Sequence, residues 1–280
     1  MIIVDYSGIA IAAIFSQDRP DEVEESLIRH MILNSLRRYN VKFRDEYGPM
    51  VLACDSTSWR KEKYPQYKAK RKTAREESPL DWGKFFGFLN GIRYPVLHVD
   101  RAEADDIIGV LVESTQEFGQ NEPVMIVSSD KDFIQLHRYS NVKQFSPMKR
   151  GLLKVDDPVY YKFEHICKGD VSDGVPNMLS ADNTFSDGLR QTPLRTKRIQ
   201  EWYTALPNLC DEDVMTQEQY RNYCRNKLMI DLDCIPADIQ ENIMNKYKSQ
   251  QGKSNNKVLN YLITKRCSLL VESAKDFFVN

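Results

Sequence analysis

Nine carboxylates in this 280-residue chain stand where they could act together: Asp5, Asp55, Glu103, Asp105, Asp106, Asp130, Asp132, Asp170 and Asp173. Singly, each has a plain structural reading. Asp100-Arg-Ala-Glu103 has the spacing of a helix capping box, with Asp100 as N-cap, and Asp105 and Asp106 would then face the helix dipole in the first turn. Ser129-Asp-Lys-Asp132 has the same spacing, and Asp170 and Asp173 fit a turn flanked by Gly169 and Gly174. Together they are harder to explain away, because so many anions in one place raise one another's pKa and oppose folding unless cations bind. An all-oxygen donor set favours a hard divalent ion, Mg²⁺ with Mn²⁺ as substitute, over zinc. Two such ions roughly 3.5–4 Å apart would clamp a phosphodiester and activate water, so the implied chemistry is phosphoryl transfer to water.

The basic residues supply the complementary half. Trp59–Arg75 holds eight cations and one acid, Glu62. If that run is helical, Lys68, Arg71 and Arg75 share one face, where a cation could stabilise charge developing on a scissile phosphate. Lys70 lies among them as a phosphate contact. Trp59, Tyr64 and Tyr67 interleave with the charges and could stack on unpaired bases. The bland alternative is a solvated charged loop. Arg190–Arg198 forms a second basic patch without acids, in which Arg195, Lys197 and Arg198 could hold duplex phosphates. Lys143–Lys154 adds four more cations as a weaker patch. The near-neutral total, 39 Lys and Arg against 40 Asp and Glu, therefore hides opposite charges sorted along the chain and does not exclude a nucleic-acid partner.

The elements that must position these residues can also be read. Ile2–Val4, Met50–Ala53, Val96–Val99 and Val124–Val127 are apolar runs of strand length, each ending at or near an aspartate (Asp5, Asp55, Asp100, Asp130). Helical spacing over Glu24–Tyr39 and Glu103–Phe118 alternates with them, which predicts an α/β fold with a mostly parallel central sheet flanked by helices. In such sheets ligands bind outside the carboxyl ends of the strands, so aspartates distant in sequence can converge there. Residues 56–91 interrupt the alternation and read as a basic helical arch or loop, passing into an aromatic helix-like stretch at Asp81–Leu89. From about residue 160 helical patterns dominate, which predicts an α/β domain over 1–160 and a helical lobe over 161–280.

Composition excludes several classes. Charged residues at 28% and aromatics at 10% fit a globular protein, and no apolar stretch is long enough to span a bilayer. The first strand begins at Ile2, where no signal peptide is expected to precede it. Six cysteines without a C-x-x-C pair read as reduced, mostly buried thiols, and His30, His98, His137 and His165 as core or surface residues. There is no G-x-S-x-G, G-x-x-x-x-G-K or G-x-G-x-x-G, so acyl transfer, P-loop ATPase and dinucleotide chemistry lose their usual supports.

IIVDYS at the start, VLACDS at 51–56, YKAKR at 67–71, EADD at 103–106, SSDKDF at 128–133 and KGDVSDG at 168–174 occur in one order. This ordered set resembles the flap endonuclease-type 5′ nuclease family. AREES at 74–78 and NKLMIDLDCIP at 226–236 resemble its ribonuclease H branch in T-even-type bacteriophages. The resemblance implies a 5′→3′ exonuclease and flap endonuclease that removes RNA primers from lagging-strand fragments. It implies a first Mg²⁺ site of Asp5, Asp55, Asp105 and Asp130 with Glu103 beside it. Asp132, Asp170 and Asp173 would serve a second ion, and Asp106 would support the cluster. Lys68 matches the family's active-site lysine, and Arg71 or Arg75 its arch arginine. The substrates implied are RNA–DNA hybrid and duplex DNA with a 5′ flap or 5′ end. A phage single-stranded-DNA-binding protein is an implied partner, with a monomer working in the infected host's cytoplasm. Gly174 stands where the family usually has Asn, and Pro176–Thr192 lacks the glycine-rich helix–hairpin–helix signature. Two alternatives stay open. One is a nuclease-like scaffold that holds fork DNA without cutting it. The other, an aspartyl-nucleophile phosphatase, is weakened because Asp5-Tyr6-Ser7 lacks the second aspartate two residues on.

Overall fold

The computed structural model describes residues 1–16, 24–69, 89, 94–117, 120–251 and 258–278. Its centre is a six-stranded sheet of β1 (Ile2–Asp5), β2 (Met50–Cys54), β3 (Val96–His98), β4 (Val124–Val127), β5 (Val142–Ser146) and β6 (Gly151–Leu153), in the order β3-β2-β1-β4-β5-β6. All neighbours are parallel except β5 and β6. Ile2, Ile3 and Val4 are fully buried, as are all residues of β4, because helices cover both faces of a parallel sheet. The chain runs outward from β1 through β2 to β3, then returns to place β4 on the other side of β1. The order reverses between β1 and β4, where such sheets open a crevice at their carboxyl edge.

Between the strands run α1 (Tyr6–Phe15), α2 (Glu25–Tyr47), the short α3 (Arg60–Lys63) and α4 (Ala104–Gln116). Ile28, Ile32, Leu36 and Phe43 of α2 recur at helical spacing and enter the main core with Ile14, Leu52 and Val127. The chain divides into two compact units, one of Met1–Thr57, Pro79–Lys154 and Ala237–Asn280, the other of Ser58–Ser78 and Val155–Pro236. The expected boundary at 160–161 lies near the entry to the second unit at Val155. The C-terminal stretch does not stay with it: α8 (Ala237–Gln250) packs on α4, and α9 (Val258–Thr264) and α10 (Ser268–Val271) enter the first unit's core through Val258, Leu262 and Leu270. Arg37 on α2 pairs with Asp276 at 2.7 Å, and the Asn40 amide donates to the carbonyls of Asp276 and Phe278.

The second unit contains α5 (Pro158–Lys168), α6 (Thr196–Thr204) and α7 (Gln217–Ile230) around Phe163, Cys167, Met178, Ile199 and Trp202. Tyr64 and Tyr67 pack with Ile166, Val175, Met229 and Ile230. The start of the basic run is therefore core rather than open loop. Trp59, Tyr64 and Tyr67 are buried and not presented for stacking on bases, and the buried Arg60 donates through Nε to the Met229 carbonyl at 2.8 Å. Of the expected arch over residues 56–91, residues 70–88 and 90–91 lie outside the described residues, and with them all of Asp81–Leu89 except Leu89. Of the cysteines, Cys54, Cys167 and Cys267 are buried whereas Cys210 and Cys224 are exposed, so "mostly buried" holds for only half of the set. No described helix is long and apolar enough to cross a membrane.

Candidate nuclease site

The carboxyl edge of the first unit's sheet gathers acids from separate strands. Asp5 ends β1 and caps α1, its Oδ1 accepting the Gly8 amide at 3.0 Å. Gly8 is needed for that approach: a Cβ there would lie 2.9 Å from the Asp5 carboxylate. Oδ2 of Asp5 accepts from the Ser128 hydroxyl at 2.9 Å, tying the end of β1 to the loop after β4. Asp55 follows β2 and accepts the Ala104 amide at 2.9 Å, at the start of α4. Asp130 follows β4, and its side chain accepts the Asp132 amide at 3.0 Å.

Electrostatics show that these groups are crowded. Burial, chiefly, pushes the Asp5 carboxyl up to about 6. The hydrogen bond from Gly8 opposes that, the charges of Asp55 and Asp130 add to it, and the Ser128 hydrogen bond offsets part. A carboxyl raised by burial and by like charges is one that a cation would relieve. The donors are all carboxylate oxygens, the chemistry of a hard divalent ion, so the residues present fit such an ion.

The acidic EADD motif is arranged differently from its expected capping pattern. The N-cap of α4 is Glu103, not Asp100, and the buried Asp106 at N3 accepts the Glu103 amide at 2.9 Å to close the capping box. Asp100 instead accepts from the Thr57 hydroxyl at 3.2 Å. Glu103 is buried and Asp105 half-buried on the helix's first turn. Ser129 does not cap a helix either. Its hydroxyl meets that of Ser146 at 2.9 Å and accepts the Met148 amide at 3.1 Å, while a 3₁₀ turn runs from Asp132 to Arg138.

Gln144 on β5 is a supporting residue that sequence reading missed. Fully buried, its amide donates to the carbonyls of Ser128 at 3.0 Å and Asp130 at 2.5 Å, and its oxygen meets His137 Nε2 at 3.1 Å. It thereby holds the loop that carries Asp130. Burial lowers the pKa of His137, against the raising effect of that contact with Gln144. A glutamine that follows a lysine in a mixed stretch, Val142–Ser146, gives no sign of this until its partners are known.

In the second unit, Asp170 and Asp173 share a tight turn closed by the Asp170–Val175 bridge. Asp170 accepts the amides of Ser172 at 2.7 Å and Asp173 at 3.1 Å, and His165 Nε2 lies 3.6 Å from its other oxygen. Burial pushes the Asp170 carboxyl up, but hydrogen bonds from His165, Ser172 and Asp173 and the His165 charge hold it well below the usual carboxylate range. His165, read as core or surface, thus reaches this turn from the last part of α5. Its signal was its place one helical turn before the KGD motif.

Lys68 stands outside any helix, at φ +53, rather than on the helical face expected for the basic run. Its ammonium lies 3.3 Å from Asp173, whose Oδ2 also accepts from the Tyr67 hydroxyl at 3.0 Å, while the Lys68 amide donates to the Asp173 carbonyl at 2.8 Å. Gly174 adopts φ +75 and a Cβ there would meet the Gln66 carbonyl at 3.0 Å, so its conformation and its space both serve this packing. Arg195, Lys197 and Arg198 are exposed at the N-terminus of α6, with Arg198 paired to Glu201 at 3.0 Å and lying 5.0 Å from the Trp202 ring centroid. Lys70, Arg71 and Arg75 lie outside the described residues.

Residues 1–164 match the family described as 5′-3′ exonuclease, N-terminal resolvase-like domain, and residues 159–277 match that described as T4 RNase H, C terminal. The chain is 32% identical to the ribonuclease H of Enterobacteria phage T4, over 98% of this chain and 95% of that protein. It is 30% identical to an exonuclease of Escherichia phage T7, over 58% of this chain and 54% of that one. In structure it is similar to the D15 flap endonuclease of bacteriophage T5, solved as a pseudo-enzyme-product complex with DNA and metal ions. The TM-score is 0.62 at 18% identity, covering 89% of this chain and 97% of that one, which is a likeness of fold. With both family models and the phage T4 relative spanning nearly its whole length, the chain belongs to the 5′→3′ exonuclease and flap endonuclease family of nucleases, in the branch of phage T4 ribonuclease H.

Proposed function

We propose that this chain is a Mg²⁺-dependent 5′→3′ exonuclease and flap endonuclease of the ribonuclease H type that removes RNA primers during phage DNA replication. The observation that carries the reading is the convergence of Asp5, Asp55 and Asp130 at the strand-order reversal, with the Asp5 carboxyl raised to about 6. Asp5, Asp55, Asp105 and Asp130, with Glu103 beside them, would hold a first divalent ion. Motif order adds Asp132, Asp170 and Asp173 for a second, and Asp106 serves by fixing the helix start that presents Glu103 and Asp105. When bound, the ions supply charge neutralisation at the scissile phosphate and a more acidic attacking water.

The protein's own groups do the rest. Ser128 and Gly8 orient the Asp5 oxygens, Ala104 orients Asp55, and Gln144 fixes the loop of Asp130. Lys68, held against Asp173 and Tyr67, would offer its ammonium to the charge developing on the phosphate, with Arg71 or Arg75 assisting. Arg195 and Lys197 at the start of α6, with Arg198, would hold duplex phosphates, and Lys70 a phosphate beside Lys68. RNA–DNA hybrid and 5′-flap duplex are the proposed substrates. The protein would act as a monomer in the host cytoplasm beside a phage single-stranded-DNA-binding protein.

The test follows a 5′-labelled RNA–DNA hybrid and a 5′-flap duplex with Mg²⁺, with Mn²⁺ and with chelator. Cleavage by the wild type only when metal is present, and none by Asp132→Asn with Asp173→Asn, is the expected result. Tight binding without cleavage, or full cleavage by the double variant, overturns it.

A further inference from the structure

A cationic cavity opens on the first unit between α2 and the β5–β6 turn, with a volume of about 320 Å³. Ser35, Arg38, Tyr39 and Lys42 line it from one face of α2 at positions i, i+3, i+4 and i+7, and Phe145 and Arg150 close it from the hairpin. The Lys42 ammonium sits 3.9 Å from the Phe145 ring centroid, which holds that charge at the cavity wall. Among the described residues, no carboxylate pairs with Arg38, Lys42 or Arg150. Nearby acids are engaged elsewhere: Asp45 lies 3.8 Å from Arg44, and Glu46 lies 3.4 Å from Lys143. Three cations, two hydroxyls and no anion form a receptor for a phosphate group.

The backbone supports the same reading. Arg150 adopts φ +52, a conformation that glycine takes at no steric cost, although Gly151 is the next residue. The turn therefore keeps an arginine at a strained position whose side chain lines the cavity. β4 and β5 are parallel, with Val127 opposite Phe145, so Asp130 and the Pro147–Arg150 turn leave the same edge of the sheet. The Ser129 hydroxyl accepts the Met148 amide, and Gln144 reaches the Asp130 carbonyl, which binds this turn to the acidic loop.

We infer that the Arg38–Lys42–Arg150 cavity is a phosphate subsite that grips one backbone phosphate of the bound nucleic acid, away from the phosphodiester being cut. This rests on the proposed nuclease function and assigns part of its substrate path. It also resolves the Lys143–Lys154 patch: Arg150 serves the subsite, while Lys143 is occupied by Glu46.

The test is equilibrium binding of a 5′-flap duplex in chelator, by fluorescence anisotropy across a salt series, for Arg38→Ala with Arg150→Ala and for Lys143→Ala as control. Each phosphate neutralised contributes about 0.9 to the slope of log affinity against log salt on duplex, or about 0.7 on a single strand. The double variant is expected to lose about that much slope, with roughly tenfold weaker binding at low salt, and Lys143→Ala neither. Arg38→Glu should weaken binding further. An unchanged slope and affinity in the double variant overturns the subsite, even if inorganic phosphate titrated alone binds the wild type through these residues, since that assigns the cavity to a free anion. Equal losses from Lys143→Ala also overturn it, because they reflect general surface charge. Cleavage is read separately. Wild type that binds with the expected slopes but does not cut refutes the nuclease reading and leaves the subsite standing.

Discussion

Replacing Asp5 by asparagine separates the charge of this residue from its shape. In the metal-free protein burial, and then the neighbouring charges of Asp55 and Asp130, raise the carboxyl from its ordinary 3.8 to about 6. The native state therefore keeps a proton between about pH 4 and pH 6 that the unfolded chain has already released. Stability falls as pH rises through that window and stays lower above it. A shift of roughly two units corresponds to about 3 kcal/mol. Asparagine keeps an oxygen to accept the Gly8 amide but never ionises. In chelator at pH 8, Asp5→Asn should therefore be more stable than the wild type by up to about 3 kcal/mol. That is a gain of roughly 6–12 °C in Tm for a chain of this size. Near pH 4 the two proteins should melt together. Differential scanning calorimetry at both pH values reads this directly, and saturating Mg²⁺ should shrink or reverse the gain because the variant loses a ligand. A variant no more stable at pH 8, or equally favoured at pH 4 and pH 8, would refute the argument that this carboxylate is buried against like charges.

Other outcomes follow from the same geometry. Mg²⁺ should raise the wild-type Tm more at pH 7.5 than at pH 5, where a proton on Asp5 competes; at a hundred times its Kd the gain is about 2.7 kcal/mol. Equal shifts at the two pH values would remove Asp5 from the ion's ligands. Lys68→Ala should lower kcat roughly a hundredfold, the scale for losing one donor to developing charge, with little change in duplex affinity. Equal losses in turnover and affinity would make Lys68 a phosphate anchor. Gly174→Ala should cost about 1–3 kcal/mol by chemical denaturation, because it combines φ +75 with a close approach to the Gln66 carbonyl. Gly174→Asn should recover part of the conformational cost, since Asn tolerates this region.

Strands β1, β2 and β4 were legible because burial on both faces demands unbroken apolar runs, and Ile2–Val4 and Val124–Val127 have nothing else, whereas the short β3 carries a half-buried Val96 and an exposed His98 around the buried Leu97. β5 was not legible. Lys143 is exposed and Gln144 is buried, so neither a continuous run nor an alternation marks it. Gln144 is tolerated inside only because carbonyls from the loop after β4 accept its amide. The basic run misled in a similar way, since Trp59, Arg60, Tyr64 and Tyr67 look like a solvated, aromatic-studded grip yet all four are buried, with Arg60, Tyr64 and Tyr67 against residues of α5 or α7. The helix start moved from Asp100 to Glu103 because the Asp106 side chain closes back on the Glu103 amide.

What the sequence by itself determined was the class of fold and the kinds of group at its edge. Apolar runs ending in aspartates dictate a parallel sheet with acids at its carboxyl side, because side-chain burial and helix periodicity are local properties of the chain. Only the tertiary structure decided which of those acids are strained and which groups restrain them. Asp5 is raised because the fold buries it beside Asp55 and Asp130, and Lys68 is committed to Asp173 because the turn at Gly174 closes onto Gln66. The return of residues 237–280 to the first unit and the pairing of Arg38 with Arg150 around one cavity belong to the same category. Each depends on desolvation and charge between residues far apart in the chain, and those quantities exist only once the chain has folded.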